Sequence, residues 1–258
     1  MAYELNTAVV GGRLTADPDV RYTAGDNPTC IARYTLAVNR QTEGADFIPC
    51  IVFGKSAEFA EKYLKKGTAV LVTGKIQTGS YTKKDGSRTY TTELVVDRQT
   101  TEKGGVLNLN VVLFEGRLTK DPTVRYTRGD NPVCIARYTL AVTRGYFSKD
   151  KDASDYISCI CMGKSAEFVE KYLKKGTAIA VRGRIQTGSY TNKDGAKVYT
   201  TDVVVETQIF AARKKDENVK RDERKAESMP VQEEEQDEAD GFVDLPEDEF
   251  DKLPFGPN

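Results

Sequence analysis

Residues 25–38 read GDNPTCIARYTLAV, and residues 129–142 read GDNPVCIARYTLAV, with a single difference at Thr29/Val133. The match is not local. A shift of 104 residues lays Gly12, Arg13, Leu14, Asp17 and Pro18 on Gly116, Arg117, Leu118, Asp121 and Pro122. After Arg40 and Arg144 the shift grows to 109, because the second copy carries five extra residues in the following loop. From there GKSAEF, KYLKKGTA and IQTGSYT each recur. A chain that repeats itself in this way must fold as two copies of one unit. The units run over 1–99 and 107–212, joined by the polar link TTEKGG at 100–105. Each is of ordinary domain size and long enough to bury its own core. The period is far too long for a solenoid.

Each unit reads as β-rich with one helix. TAVVGGRL (7–14) and CIARYTLAV (30–38) alternate apolar and polar residues and are rich in β-branched and aromatic side chains, as half-buried strands should be. Gly11-Gly12 suggests a bulge or sharp bend where the sheet curls. FIPCIVF (47–53) makes a third strand, with Pro49 arguing for an edge or bulge. KSAEFAEKYLKKG is predicted helical, with Ser56 as cap, Phe59, Ala60, Tyr63 and Leu64 on one face, and Gly67 closing it. Two further strands follow as a hairpin around Asp85-Gly86, and around Asp194-Gly195 in the second unit. Three strands, a helix and a two-stranded hairpin is the order of the five-stranded OB barrel. The fold class expected is therefore all-β: two tandem five-stranded OB-fold barrels, each with one short helix.

On the third strand the period of two puts Phe47, Pro49, Ile51 and Phe53 on one face and Ile48, Cys50 and Val52 on the other. The small aliphatic set suits a tight interior, which leaves Phe47 and Phe53 outside. In the second unit Tyr156 and Met162 take those places, with Cys159 and Cys161 inward. Tyr81 and Tyr190 begin the hairpins, flanked by Lys83, Lys84 and Arg88 and by Lys193 and Lys197. Tyr22, Tyr126, Arg33 and Arg137 add further rings and cations. Aromatic rings interleaved with basic residues on a barrel face suit single-stranded nucleic acid, because every base has a π-face and each stack contributes ~1–3 kcal/mol.

These residues stand within longer motifs. VVGGRLTADPDVRYT, FGKSAEFAEKYLKKGTAVLVTGKIQT and YTTELVV strongly resemble the bacterial single-stranded DNA-binding protein family, over both units end to end. The resemblance implies DNA-stacking roles for Phe47, Phe53 and Tyr81, and for Tyr156 and Tyr190 in the second unit. Met162 departs from the aromatic pattern. A further family aromatic falls on Thr42 in the first unit, whereas Tyr146 or Phe147 fills that place in the second. The family's four-barrel assembly implies a homodimer of this two-barrel chain.

Beyond the second unit the composition changes. Residues 213–258 hold 8 Lys+Arg against 16 Asp+Glu, too polar to offset the entropy of ordering, and so are expected to be disordered. Removing them from the chain's 38 basic and 39 acidic residues leaves residues 1–212 with a net charge of +7. A basic body carrying an acidic tail suggests a polyanionic partner. The tail ends EDEFDKLPFGPN. Family members close with an acidic Pro-Phe tip that docks into replication, repair and recombination proteins. The resemblance therefore implies partner binding through Asp248, Glu249, Phe250, Asp251, Leu253, Pro254 and Phe255, although Gly256, Pro257 and Asn258 follow the tip here.

Catalysis is not expected. With no histidine in the chain, no imidazole base, triad or imidazole-zinc site can form. Both GKS runs, at 54–56 and 163–165, lack the upstream glycine of a phosphate loop: Pro49 and Ser158 stand there instead. They read as a strand end followed by a helix. Cys159-Ile160-Cys161 has no second pair at zinc spacing, so neither metal nor cofactor is expected. Five cysteines without a secretory signal or a long apolar run suggest a cytoplasmic, nucleoid-associated protein with no membrane role. The leading reading is a coat for single-stranded DNA. The alternatives are an OB-fold adaptor of a replication-restart or recombination complex with secondary DNA binding, and an RNA- or oligosaccharide-binding OB protein.

Overall fold

The computed structural model describes residues 5–25, 27–82, 88–101, 108–128, 131–144, 153–191 and 197–211, with the side chains of Tyr81, Arg88, Thr89 and Tyr190 excepted. The first unit contributes β1 (Asn6–Leu14), β2 (Asp19–Tyr22), β3 (Cys30–Asn39), β4 (Ala45–Phe53), α1 (Lys55–Tyr63), β5 (Ala69–Thr82) and β6 (Arg88–Thr101). The second repeats the series as β7 (Asn110–Leu118), β8 (Thr123–Tyr126), β9 (Cys134–Thr143), β10 (Ser154–Met162), α2 (Lys164–Tyr172), β11 (Ala178–Thr191) and β12 (Lys197–Phe210).

In each unit five strands close on themselves. β1 pairs with β5, β5 with β6, β6 with β4, β4 with β3, and β3 returns to β1 through Arg13↔Ala37 and Leu14↔Leu36. The β4–β6 pair is parallel and short, Cys50↔Leu94 and Ile51↔Val95. This is the OB barrel. The brief β2, not foreseen from sequence, hangs on β3 outside the closure through Asp19↔Arg33 to Tyr22↔Cys30.

Alternation places the core as the period of two dictates. Cys30, Ala32, Tyr34, Leu36 and Val38 on β3 face Ile48, Cys50 and Val52 on β4, all buried. Helix α1 lies against this barrel with Ala57, Ala60 and Leu64 buried and Phe59 partly so. Tyr63 is exposed instead of joining the buried stripe. Its ring lies 5.0 Å from Phe59, with Lys62 Nζ 5.5 Å from the ring centre. The helix is pinned from below: Tyr34 donates to Gln99 Oε1 at 2.7 Å, and Gln99 Nε2 donates to the Ser56 carbonyl.

Two local expectations are corrected. The N-cap is Gly54 and not Ser56; it sits at φ 59°, in the left-handed region that favours glycine, and no side chain caps the helix. The Gly54 carbonyl accepts from the N–H groups of Ala57 and Glu58, so Ser56 lies already inside the first turn. Gly11-Gly12 is no bulge, since β1 pairs with β5 without a break from Ala8↔Gly74 to Arg13↔Ala69. Gly12 is where β3 crosses: a Cβ there would lie 2.6 Å from the Ala37 carbonyl oxygen. The register shift falls at Thr73/Gly74, and at Arg182/Gly183 in the second barrel. Pro49 is accommodated opposite Thr35 inside β4, just short of the two residues that pair with β6.

The Asp-Pro motif of each unit also finds its reason. Asp17 Oδ1 accepts the Lys66 N–H at 2.8 Å, and Asp121 Oδ1 that of Lys175 at 2.8 Å. Each tethers the loop after β1 or β7 to the end of the helix. The bond from Lys66, with Lys65 nearby, holds the Asp17 carboxyl below its ordinary pKa.

The two barrels join edge to edge. β1 pairs antiparallel with β7 from Asn6↔Phe114 to Val10↔Asn110. All twelve strands thus belong to one sheet, and residues 1–214 cluster as one compact unit. A reciprocal pair of polar contacts reinforces the seam. Buried Asp46 accepts from Arg40 Nη2 at 2.7 Å and from the Thr187 N–H at 2.8 Å, while Phe47 N–H donates to Thr187 Oγ1 at 2.9 Å. In mirror fashion, buried Asp155 accepts from Arg144 and from the Thr78 N–H at 2.6 Å, and Tyr156 N–H donates to Thr78 Oγ1 at 2.9 Å.

Candidate nucleic-acid interface

The candidate face begins with β4. Because Ile48, Cys50 and Val52 are packed inward, Phe47 and Phe53 must point out, and they are 53% and 45% exposed. Six residues of strand separate them by about 20 Å. Between them Pro49 is half-buried and Ile51 buried, so the two rings stand at the ends of a low apolar floor. Arg33 on β3 pairs with Ile51 and so shares this face. Its Nε lies 3.7 Å from Glu93 Oε1 on β6, which offsets part of its charge. Sequence reasoning assigned Arg33 to the site but did not foresee this carboxylate. In the second barrel Asp202 replaces Glu93, and among the described residues Arg137 makes no ion pair.

Barrel two repeats the face with altered chemistry. Tyr156 and Met162 are both exposed, and Met162 pairs with Ile135 as Phe53 pairs with Ile31. Met162 therefore holds the position of the missing aromatic. The seam brings the two faces together, because the backbone N–H groups of Phe47 and Tyr156 are each bonded to a threonine of the other barrel.

Other expected residues are placed elsewhere. Tyr22 pairs with buried Cys30 and so lies on the opposite side of the sheet from Phe47 and Phe53. Its hydroxyl donates to Glu61 of α1 at 2.8 Å, and this bond raises the phenol's pKa above its ordinary value. Tyr126 does the same with Glu170 at 2.7 Å. The structure thus separates these two rings from the β4 platform. The backbones of Tyr81 and Tyr190 pair with Thr89 and Val198 in the hairpins. Their side chains, with that of Arg88, and Lys83, Lys84, Tyr146, Phe147, Lys193 and the tail residues 248–255 lie outside the described residues. Lys197 is described, with Nζ 5.3 Å from the centre of the Tyr199 ring.

Tyr90 and Tyr199 are the most exposed rings described, at 76% and 75%; the sequence reading weighed Tyr90 as readily for a scattered surface aromatic as for the binding face, and did not single out Tyr199. By period they share parity with the core residues Leu94 and Val203. The hairpins, however, project beyond the barrel, where the inward parity has no core to meet. The length of the hairpin, 14 residues per strand, was the signal available.

Closed barrels with solvent-facing rings and cations on one face define an OB-fold binding protein. Residues 5–101 and 109–211 each match the single-strand binding protein family, and the chain belongs to that family. The single-stranded DNA-binding protein of Clostridium perfringens is 52% identical over 102 residues, covering 40% of this chain and 65% of that protein. Single-stranded DNA-binding protein 1 of Streptococcus pyogenes serotype M18 is 42% identical over 123 residues, 47% of this chain and 92% of its own length. The chain thus spans under two thirds of the Clostridium relative. The crystal structure of wild-type single-stranded DNA binding protein from Thermus aquaticus superposes with a TM-score of 0.67 at 25% identity. That likeness spans 83% of this chain and 96% of the other, more than either barrel alone. Among the described residues no helix is long and apolar enough to cross a membrane, and no cluster of acidic or cysteine side chains is placed to hold a metal.

Proposed function

We propose that this chain binds single-stranded DNA without reading its sequence. Bases stack on Phe47, Phe53 and the hairpin's Tyr81 in barrel one, and on Tyr156 and Tyr190 in barrel two. Arg33, Arg137, Arg88, Lys83, Lys84, Lys193 and Lys197 contact phosphates. Tyr22 and Tyr126 extend the path around the barrel, and Tyr146 or Phe147 adds a ring to the second. The observation that carries this reading is the pair of exposed rings at the ends of β4, held outward by a fully packed inner face. Rings spaced along one strand, with Arg33 sharing their face, suit the successive bases of an extended nucleic-acid strand.

In this reading the protein coats and protects single strands during replication, repair and recombination in the bacterial cytoplasm, on the nucleoid. Its acidic tail recruits partner proteins through residues 248–255. It works as a homodimer presenting four barrels. Support for the dimer comes from the outer face of the joined sheet, where Val9 lies between Thr73 and Val111 and exposed Leu113 lies beside Thr7.

The test is a titration with poly-dT and with duplex DNA, followed by tyrosine quenching over a range of salt. Single strands should be strongly preferred, with log affinity falling by ~0.7 per phosphate neutralised against log salt. Equal affinity for duplex, or no salt slope, would falsify the reading.

A further inference from the structure

A depression of about 280 Å³ opens beside Phe53 on the outer face of barrel one. Its lining includes Ile51 and Val95, polar Gln77 and Thr91, and Glu93. One wall comes from the other barrel: Arg144, one residue past β9. Its Nε and Nη2 both donate to Asp155 Oδ1, at 3.1 and 2.8 Å, and Nη2 also donates to the Thr78 carbonyl of barrel one. The guanidinium is thereby fixed against β5 across the seam. Its Nη1 makes no hydrogen bond to any described residue.

We propose that this depression is a subsite for one base of a DNA strand, completed across the seam: the base stacks beside Phe53 over Ile51 and Val95, and one of its acceptor atoms, a carbonyl oxygen or an unprotonated ring nitrogen, accepts from Nη1 of Arg144. The inference rests on the single-strand reading above and deepens it. The size suits one ring system and not a larger ligand. A base is favoured over a phosphate because the local charges cancel. Asp155 sits on the Arg144 guanidinium, and Glu93 faces Arg33. A phosphate gains little from such a site, whereas a neutral acceptor needs only an aimed donor. The duplication supplies the counterpart. Arg40 is held by Asp46 and by the Thr187 carbonyl at 2.8 Å in the same manner, and serves barrel two. Each barrel's site is therefore incomplete without its neighbour.

The test exploits that exchange. One background carries Tyr156→Ala with Met162→Ala, which disables the platform of barrel two; the other carries Phe47→Ala with Phe53→Ala, which disables that of barrel one. Into each go Arg144→Ala or Arg40→Ala, and affinity is measured for a dT oligonucleotide of about eight nucleotides, a length one OB fold covers. In the first background Arg144→Ala should weaken binding about tenfold more than Arg40→Ala, and in the second the order should reverse. Arg144→Lys and Arg40→Lys, which keep the seam ion pair but lose the fork, should follow the same order even where an alanine variant fails to fold. Equal losses in both backgrounds would reduce the arginines to seam staples, and each arginine serving its own barrel would also overturn the inference. So would a salt slope shallower by ~0.7 in Arg144→Ala, which would put a phosphate there. A parent protein that ignores dT altogether sinks the single-strand reading itself.

Discussion

Phe47 and Phe53 expose large apolar rings that a folded barrel has no internal reason to keep outside, since their neighbours on β4 already fill the core. Replacing Phe47, Phe53 and Tyr81 together with alanine should weaken binding to dT by several kcal/mol, at ~1–3 kcal/mol per lost stack. The melting temperature should stay near that of the parent, because the exposed rings of Phe47 and Phe53 contribute little to stability. The corresponding loss of Tyr156 and Tyr190 should cost less, as Met162 leaves barrel two with a thioether where barrel one has a ring. A triple variant that melts like the parent and binds as tightly would show that the platform is elsewhere. These outward rings were legible in the sequence because strand parity alone assigns them. Tyr199 was not, and Tyr90 was only weighed evenly, since parity says which side a residue faces and not where the barrel wall stops. Arg144 was hidden for a different reason: its site is built by residues of the other copy, and no spacing within one unit reveals a contact across the seam.

At the scale of elements, sequence periodicity and the repeat itself located the five barrel strands and the helix of each unit. It misplaced the irregularity of the ladder. Gly11-Gly12 drew attention as a pair, yet the register shift falls at the lone Gly74, where a Cβ would come 2.1 Å from the Val95 carbonyl oxygen. That crowding arises from Val95 on β6, the far arm of the hairpin, so no pattern around Gly74 itself announces it. Gly74→Ala should therefore destabilise the first barrel by ~1–3 kcal/mol, the usual cost of overpacking. Gly79→Ala meets only the Thr91 Oγ1 at 3.2 Å, the end of a side chain that can turn away. It should be tolerated far better. Urea melts of the two variants compare them directly, and equal midpoints would remove the crowding account of the register shift. The helix cap was misread for a related reason: Ser56 has the right chemistry, but the strand ends so close to the helix that Gly54 must turn the chain.

For the whole molecule, two barrels already share one sheet through β1 and β7, so a four-barrel particle needs only one further contact between chains. Sedimentation at micromolar concentration should give a dimer; a single 28.6 kDa species would reject it. The tail can be tested at the same scale. Residues 226–258 carry one basic and twelve acidic residues, against a body of net +7 over residues 1–212. A polyanionic segment tethered to a basic face meets it at high effective concentration and competes with phosphate. Truncation after Arg213 or Lys225 should thus tighten DNA binding, most at low salt. Between about 20 mM and 300 mM salt the Debye length shrinks from roughly 20 to 6 Å, so the gain should largely vanish at the higher value. In the intact chain, bound DNA would displace the tail and free Phe242, Phe250, Leu253, Pro254 and Phe255 for partner proteins, coupling coating to recruitment through one set of charges. Affinity unchanged by truncation at both salts would leave the tail a tether for partners alone, and a Phe255→Ala variant that kept every partner would take away that role too.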